Sequence, residues 1–233
     1  FGKTLFVSLL QCYYGLEYKA DFAELFGNYA IGQNPTPLAN HYLVLKFDFS
    51  RMNTESAEST LAGFLKNVRY GISDFLGVYG FSFTPDDEAY ILAADEPSDA
   101  INRLFERFKR YLADTGSAYK IYLLIDEYDH FANELVAFRI ELFKQSVSRN
   151  GFVRKFYESI KTATGEGIVD RLFVTGVSPL TLDSLTSGFN ISTNLSLDRQ
   201  FHNMMGFTEA EVATILLGVG ANEAGVADIV ADI

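Results

Sequence analysis

The stretch Ile121–His130, IYLLIDEYDH, fixes the fold class. Five aliphatic and aromatic residues, Ile121 to Ile125, run without a polar break into two adjacent carboxylates, Asp126 and Glu127. An uninterrupted apolar run of this length reads as a strand buried on both faces, as in parallel sheets. Open α/β sheets bind their ligands at the carboxyl ends of the strands. The two acids therefore stand where a ligand would be held.

Two further runs have the same character. Tyr42–Phe49 (YLVLKFDF) ends near Asp48 and Ser50, and Arg171–Thr175 (RLFVT) ends in Gly176-Val177-Ser178-Pro179. Asn190–Leu197 (NISTNLSL) alternates apolar and polar residues and reads as a further short strand. Helical spacing fills the intervals: Leu5 to Tyr13, a short helix over Asp21–Phe26, a long one from Thr54 through Leu76, and another opened by Pro97 and ended by Gly116. Asn34–Asn40 reads as a loop and the acidic Asp86–Glu96 as a surface excursion. A helical region interrupted near Asn150-Gly151 reaches Thr164. Thr208 and Glu211 form a capping box that starts another helix, and a last weak helix runs to the C-terminus. Strands separated by helices give an α/β fold with a parallel sheet and right-handed crossovers.

Composition sets limits on function. The 233 residues are 48% hydrophobic and 15% aromatic, with 21 Phe and 13 Tyr, enough for one large α/β core. A net charge of −11 argues against a broad nucleic-acid surface, which needs Lys and Arg to neutralise phosphates. The basic residues Arg149, Arg154, Lys155 and Lys161 read as a solvated helix face. The single cysteine, Cys12, reads as a small core residue and indicates a reducing, cytoplasmic setting. His41, His130 and His202 lack partners at zinc-ligand spacing, and no uncharged apolar run is long enough to span a membrane. The chain begins at Phe1, without an initiator Met or a signal-peptide pattern, and reads as a fragment of a longer protein.

The chemistry gathers at three places. Gly2-Lys3-Thr4 precedes a helix and reads as the tail of a phosphate-binding loop. In such a loop Lys reaches the β/γ oxygens and Thr ligates Mg²⁺. Asp126 would hold the metal and Glu127 would orient or deprotonate water. Thr175 or Ser178, after the neighbouring strand, would sense the γ-phosphate. Asp129 and His130 read as local capping groups.

These segments resemble the AAA-ATPase-like family of bacterial and archaeal P-loop proteins. The matching stretches are FGKTLFVSLLQCYY (Phe1–Tyr14), YLVLKFDFS (Tyr42–Ser50), YLLIDEYD (Tyr122–Asp129), FVTGVSPLTLDSLTSGFNISTNLSLD (Phe173–Asp198) and GFTEAEV (Gly206–Val212). The resemblance makes Phe1, Gly2, Lys3 and Thr4 the end of a Walker A loop and Asp126-Glu127 a Walker B pair. It implies ATP and Mg²⁺ as ligands. It also implies a three-layer sheet of order 5-1-4-3-2, with Tyr42–Phe49, Ile121–Ile125, Arg171–Thr175 and Asn190–Leu197 as strands 2 to 5 and strand 1 upstream of Phe1. Residues 1–205 would be the ATPase domain and 206–233 the start of a helical region. Family members often carry a C-terminal nuclease-like domain, and an oligomer is compatible with the resemblance; Arg171 and Arg199 are arginine-finger candidates. The function expected is Mg²⁺-dependent ATP hydrolysis driving a conformational change in an attached or partner domain. The alternative is a nucleotide-binding switch with little or no turnover.

Overall fold

Three parallel strands, β1 (Tyr42–Asp48), β2 (Lys120–Asp126) and β3 (Val169–Val174), form a sheet in that order, with β2 in the middle. The structure, a computed structural model, describes residues 2–50, 52–148, 150–177, 189–201, 204–221 and 229. Registers run from Tyr42↔Lys120 to Asp48↔Asp126 on one side of β2, and from Ile121↔Val169 to Ile125↔Val174 on the other. The three strands occupy the 4-3-2 part of the expected order.

The period of two decides which layer each side chain joins. Leu43, Leu45 and Phe47 of β1 and Ile121, Leu123 and Ile125 of β2 face one core, together with α4 (Ala57–Val78), α6 (Pro97–Thr115) and α9 (Phe152–Gly165). Tyr42, Val44, Tyr122 and Leu124 face the other, where Val7, Leu10 and Tyr14 of α1 (Lys3–Tyr14) cover them. The result is helix, sheet, helix. The abundant phenylalanines fill the first core: Phe49 stacks on Phe64 at 4.5 Å, and Phe156 meets Phe47 and Phe64 edge-on at 5.5 and 5.2 Å.

Local chemistry sets the element ends. Asn40, in a left-handed conformation at φ 52°, donates its side-chain amide to the carbonyls of Cys12 and Gly15 and closes the end of α1. Ser56 and Ser59 form the capping box of α4, and Gly116, at φ 66°, ends α6. Between α1 and β1 lie α2 (Phe22–Phe26) and α3 (Ala30–Gln33).

Two expectations need correction. Asp86–Glu96 is no surface excursion: α5 (Pro85–Leu92) starts at a Thr84–Asp87 capping box, and Ile91 and Ala94 are fully buried. Its acids favour the positive helix N-terminus. Asn190–Leu197 forms no strand. An Asn side chain competes with a ladder: the Ser196 N–H donates to Asn194 Oδ1, just beyond the segment the Gln200 N–H donates to Asp198 Oδ1, and Leu197 is exposed. The helical region after β2 is also more divided than its spacing suggests. It comprises α7 (His130–Phe138), α8 (Ile140–Val147) and α9, with a first break at Arg139.

Contacts divide the chain into Val7–Ser192, which holds the sheet, and Phe1–Phe6 with Thr193–Ile233. The second unit contains α10 (Glu209–Gly218), whose Thr208–Glu211 capping box is formed as expected. The weak helix at the C-terminus falls mainly outside the described residues.

Gly71 lets α4 lie directly on β1: a Cβ there would stand 2.4 Å from the Lys46 carbonyl and 2.5 Å from the Phe47 ring. Gly71→Ala is therefore expected to destabilise by about 1–3 kcal/mol in denaturant unfolding, despite the better helix propensity of Ala. Glu17 is half-buried and accepts the Tyr79 hydroxyl proton, and burial raises its pKa. The folded chain thus keeps a proton that the unfolded chain releases, and stability falls as pH rises above the ordinary carboxylate range. Glu17→Gln should raise the Tm above wild type at pH 7, and the gap should close as pH falls towards 4, read by thermal melts.

Candidate functional site

The carboxyl end of β2 is held from both sides. The Phe49 N–H donates to the Asp126 carbonyl at 3.2 Å, the Thr175 N–H to the Ile125 carbonyl at 2.9 Å, and the Tyr128 N–H to the Thr175 carbonyl at 3.2 Å. The ladder thus extends past the regular strands and brings Asp126, Glu127 and Thr175 together. Asp48 stands level with Asp126 on the adjacent strand, and both follow the parity of Tyr42, Val44, Tyr122 and Leu124. Both therefore belong to the face that Val7–Tyr14 of α1 covers.

Asp126 is 1% exposed, and among the described residues the only hydrogen bond to its carboxylate comes from the Glu127 N–H, at 3.0 Å. Its hard carboxylate oxygens suit a cation such as Mg²⁺. Among the described residues no group of three or more His, Cys, Asp or Glu could hold a metal ion. An ion here would draw most of its ligands from phosphate and water, which is the habit of Mg²⁺.

Glu127 has φ 51°, a left-handed conformation, and one of two non-glycine residues so placed among the described ones. Such a backbone costs a bulky side chain about 1–2 kcal/mol. The conformation turns the chain out of β2 at once. The Glu127 carbonyl accepts from the His130 N–H at 3.1 Å, and the residue keeps partial exposure beside a buried Asp126. One acid is enclosed and its neighbour reaches solvent.

Behind these acids, Asp129 is fully buried at the N-cap of α7 but makes no side-chain bond to that helix's first turn. It accepts instead from the Val177 N–H, at 3.0 Å to each oxygen, and from Asn133 Nδ2 at 3.1 Å. The reading of Asp129 as a local cap thus missed its long-range partner. The signal available in the sequence was Gly176, a glycine directly after a strand. His130 is the first residue of α7. Tyr157 of α9 is buried nearby, and burial first, then the charges of Tyr128 and Asp129, push its pKa up.

Gly2, Lys3 and Thr4 lie in the other unit. Gly2 has φ 87°, a conformation that favours glycine, and its carbonyl accepts from the Phe6 N–H at 2.9 Å, so α1 starts at Lys3, two residues before the apolar stripe that begins at Leu5. Lys3 and Thr4 thus occupy the first turn, at the positive end of the helix dipole. Phe1 and Ser178 lie outside the described residues. Arg171 is on β3 four residues before Thr175, roughly 13 Å at strand rise, and pairs with Asp170 at 3.7 Å. Arg199 begins a 3₁₀ turn, Arg199–Phe201. Among the described residues no helix is long and apolar enough to cross a membrane.

A family model described as "Predicted AAA-ATPase" matches residues 1–186. No curated protein and no solved structure matches the chain.

If the backbone at Glu127 is strained, Glu127→Gly should raise stability by up to about 1 kcal/mol in urea unfolding, because glycine adopts this φ without steric cost. A loss of stability instead would show that the side chain's contacts outweigh the strain.

Proposed function

The chain belongs to the predicted AAA-ATPase family, and from that premise we propose that it binds ATP with Mg²⁺ and hydrolyses it. Hydrolysis would drive a conformational change in an attached or partner domain, for which a C-terminal nuclease-like domain is a candidate. The proposed domain division is residues 1–205 for the ATPase and 206–233 for the start of a helical region. The observation that carries hydrolysis, beyond nucleotide binding alone, is the pairing of buried Asp126 with partly exposed, left-handed Glu127 at the end of β2.

Each residue's role follows from its chemistry. Lys3 neutralises phosphate oxygens, and Gly2 and the first turn of α1 offer the backbone that phosphates favour. Thr4 and Asp126 would hold Mg²⁺ through hard oxygens; the ion, when bound, neutralises charge on the phosphates. Glu127 accepts a proton from, or orients, the attacking water. Thr175 offers a hydroxyl from the neighbouring strand to the transferred phosphoryl oxygens, with Ser178 as the second candidate. Little covalent work is asked of the protein, since phosphoryl transfer depends on position and charge.

The test compares wild type, Glu127→Gln and Lys3→Ala in the intact protein, measuring ATP affinity and turnover separately. Glu127→Gln is expected to keep its affinity within about twofold and to lose roughly 10²–10⁴ in turnover. Lys3→Ala should weaken binding, and removing Mg²⁺ should abolish turnover. Binding without turnover in wild type would make the protein a nucleotide switch, and unchanged affinity in Lys3→Ala would remove Lys3 from the phosphate site.

A further inference from the structure

We propose that Asp129 is a positioning residue, a buried clamp that fixes the turn Thr175–Val177 against the exit of β2 and so holds Thr175 in register with Glu127. This rests on the ATPase reading given above. Asp129 sits at an N-cap position yet spends its carboxylate elsewhere: both oxygens receive the Val177 N–H at 3.0 Å, across a sequence separation of 48 residues. Asn133, one turn further along α7, donates to the same carboxylate at 3.1 Å and steadies it. A bond to an ionised acceptor is about twice as strong as a neutral one, and burial keeps water from competing for it.

Gly176 shows how closely the turn is drawn in. A Cβ at this position would stand 2.2 Å from Asp129 Oδ1 and 2.5 Å from the Tyr128 ring. No side chain fits between the turn and the clamp. One residue earlier, Thr175 is gripped through its own backbone, its N–H donating to the Ile125 carbonyl and its carbonyl accepting from Tyr128. Thr175 is thus tied to β2 through its backbone, and the chain leaving it is tied to Asp129.

Glu127 lies between the same anchors. Asp126 is fixed by β1 through the Phe49 N–H, Asp129 is fixed by Val177 and Asn133, and Glu127 spans the gap with its left-handed backbone. Releasing Asp129 would free both the sensor turn and the downstream end of the Glu127 bend. Asp129 itself touches neither phosphate nor metal, and Thr175 and Glu127 act on the phosphoryl group in transfer and on water, so the effect belongs in turnover, with affinity little altered.

The experiment uses the intact protein in four forms: wild type, Asp129→Ala, Asp129→Asn and Gly176→Ala. Readouts are kcat and KM for ATP, and amide hydrogen exchange at Val177 with Leu123 in mid-strand as the internal reference. Asp129→Ala is expected to lower kcat about 10–100-fold with KM within about threefold, the scale of a sub-ångström to 1 Å misplacement. Val177 exchange should accelerate at least about tenfold while Leu123 is unchanged, as for local opening. Asp129→Asn should stay within about fivefold of wild type in kcat, because its Oδ1 still accepts from Val177 and the Asn133 amide can turn its oxygen to the new Nδ2. Gly176→Ala should match Asp129→Ala while leaving the carboxylate in place.

Faster Val177 exchange with unchanged kcat would overturn the positioning role, as would equal exchange gains at Leu123 or no rescue by Asn. Wild type without turnover would defeat the ATPase reading itself. In that case unchanged Val177 protection in Asp129→Ala would separately overturn the clamp.

Discussion

The structure depends on the enclosure of β2. A parallel strand with a neighbour on each edge and helices over each face has no solvent side, so Ile121 to Ile125 must all be apolar. Charge is tolerated only where the layers end. Asp126 stands at that limit, the last residue of the strand and still 1% exposed. The backbone on both flanks holds it there, through Phe49 on one side and Thr175 on the other. The position of the acid is a consequence of sheet geometry.

Beyond Asp126 the chain turns sharply, with structural and functional needs meeting over four residues. Glu127 accepts a left-handed backbone that a side chain disfavours, Tyr128 returns to the core, and Asp129 is buried again. A buried carboxylate is costly unless donors meet it. Val177 and Asn133 supply them from two other elements, so the last acid of the motif ties β3's exit to α7. Three acids in close succession thus have three environments: enclosed with one donor, partly exposed, and buried with donors from two other residues.

Much of this was legible locally. The apolar run of β2, the capping box at Thr208, the Pro97 and Gly116 boundaries and the long stripe of α4 follow from periodicity and end chemistry within a few residues. Where reading failed, it failed by treating charge as a surface mark. The acids of Pro85–Leu92 belong to a helix start whose far end carries a fully buried Ile91. The alternation of Asn190–Leu197 has the period of a strand, but the side chains of Asn194 and, just beyond it, Asp198 accept from the backbone two residues on. Period alone does not distinguish the two.

By itself, the sequence determined the α/β class, the central strand and the acids at its end, because burial on two faces and helix capping are decided by neighbours along the chain. Only the tertiary structure decided what those acids meet. The Asp129–Val177 bond joins residues 48 apart, and the need for a bare Gly176 arises from a ring and a carboxylate on another element. Contacts at such separation depend on strand register, which places Asp48 level with Asp126 and Thr175 beside Tyr128. A strand's own alternation sets which face it buries, and which residues of separate strands stand level is settled only when the sheet packs.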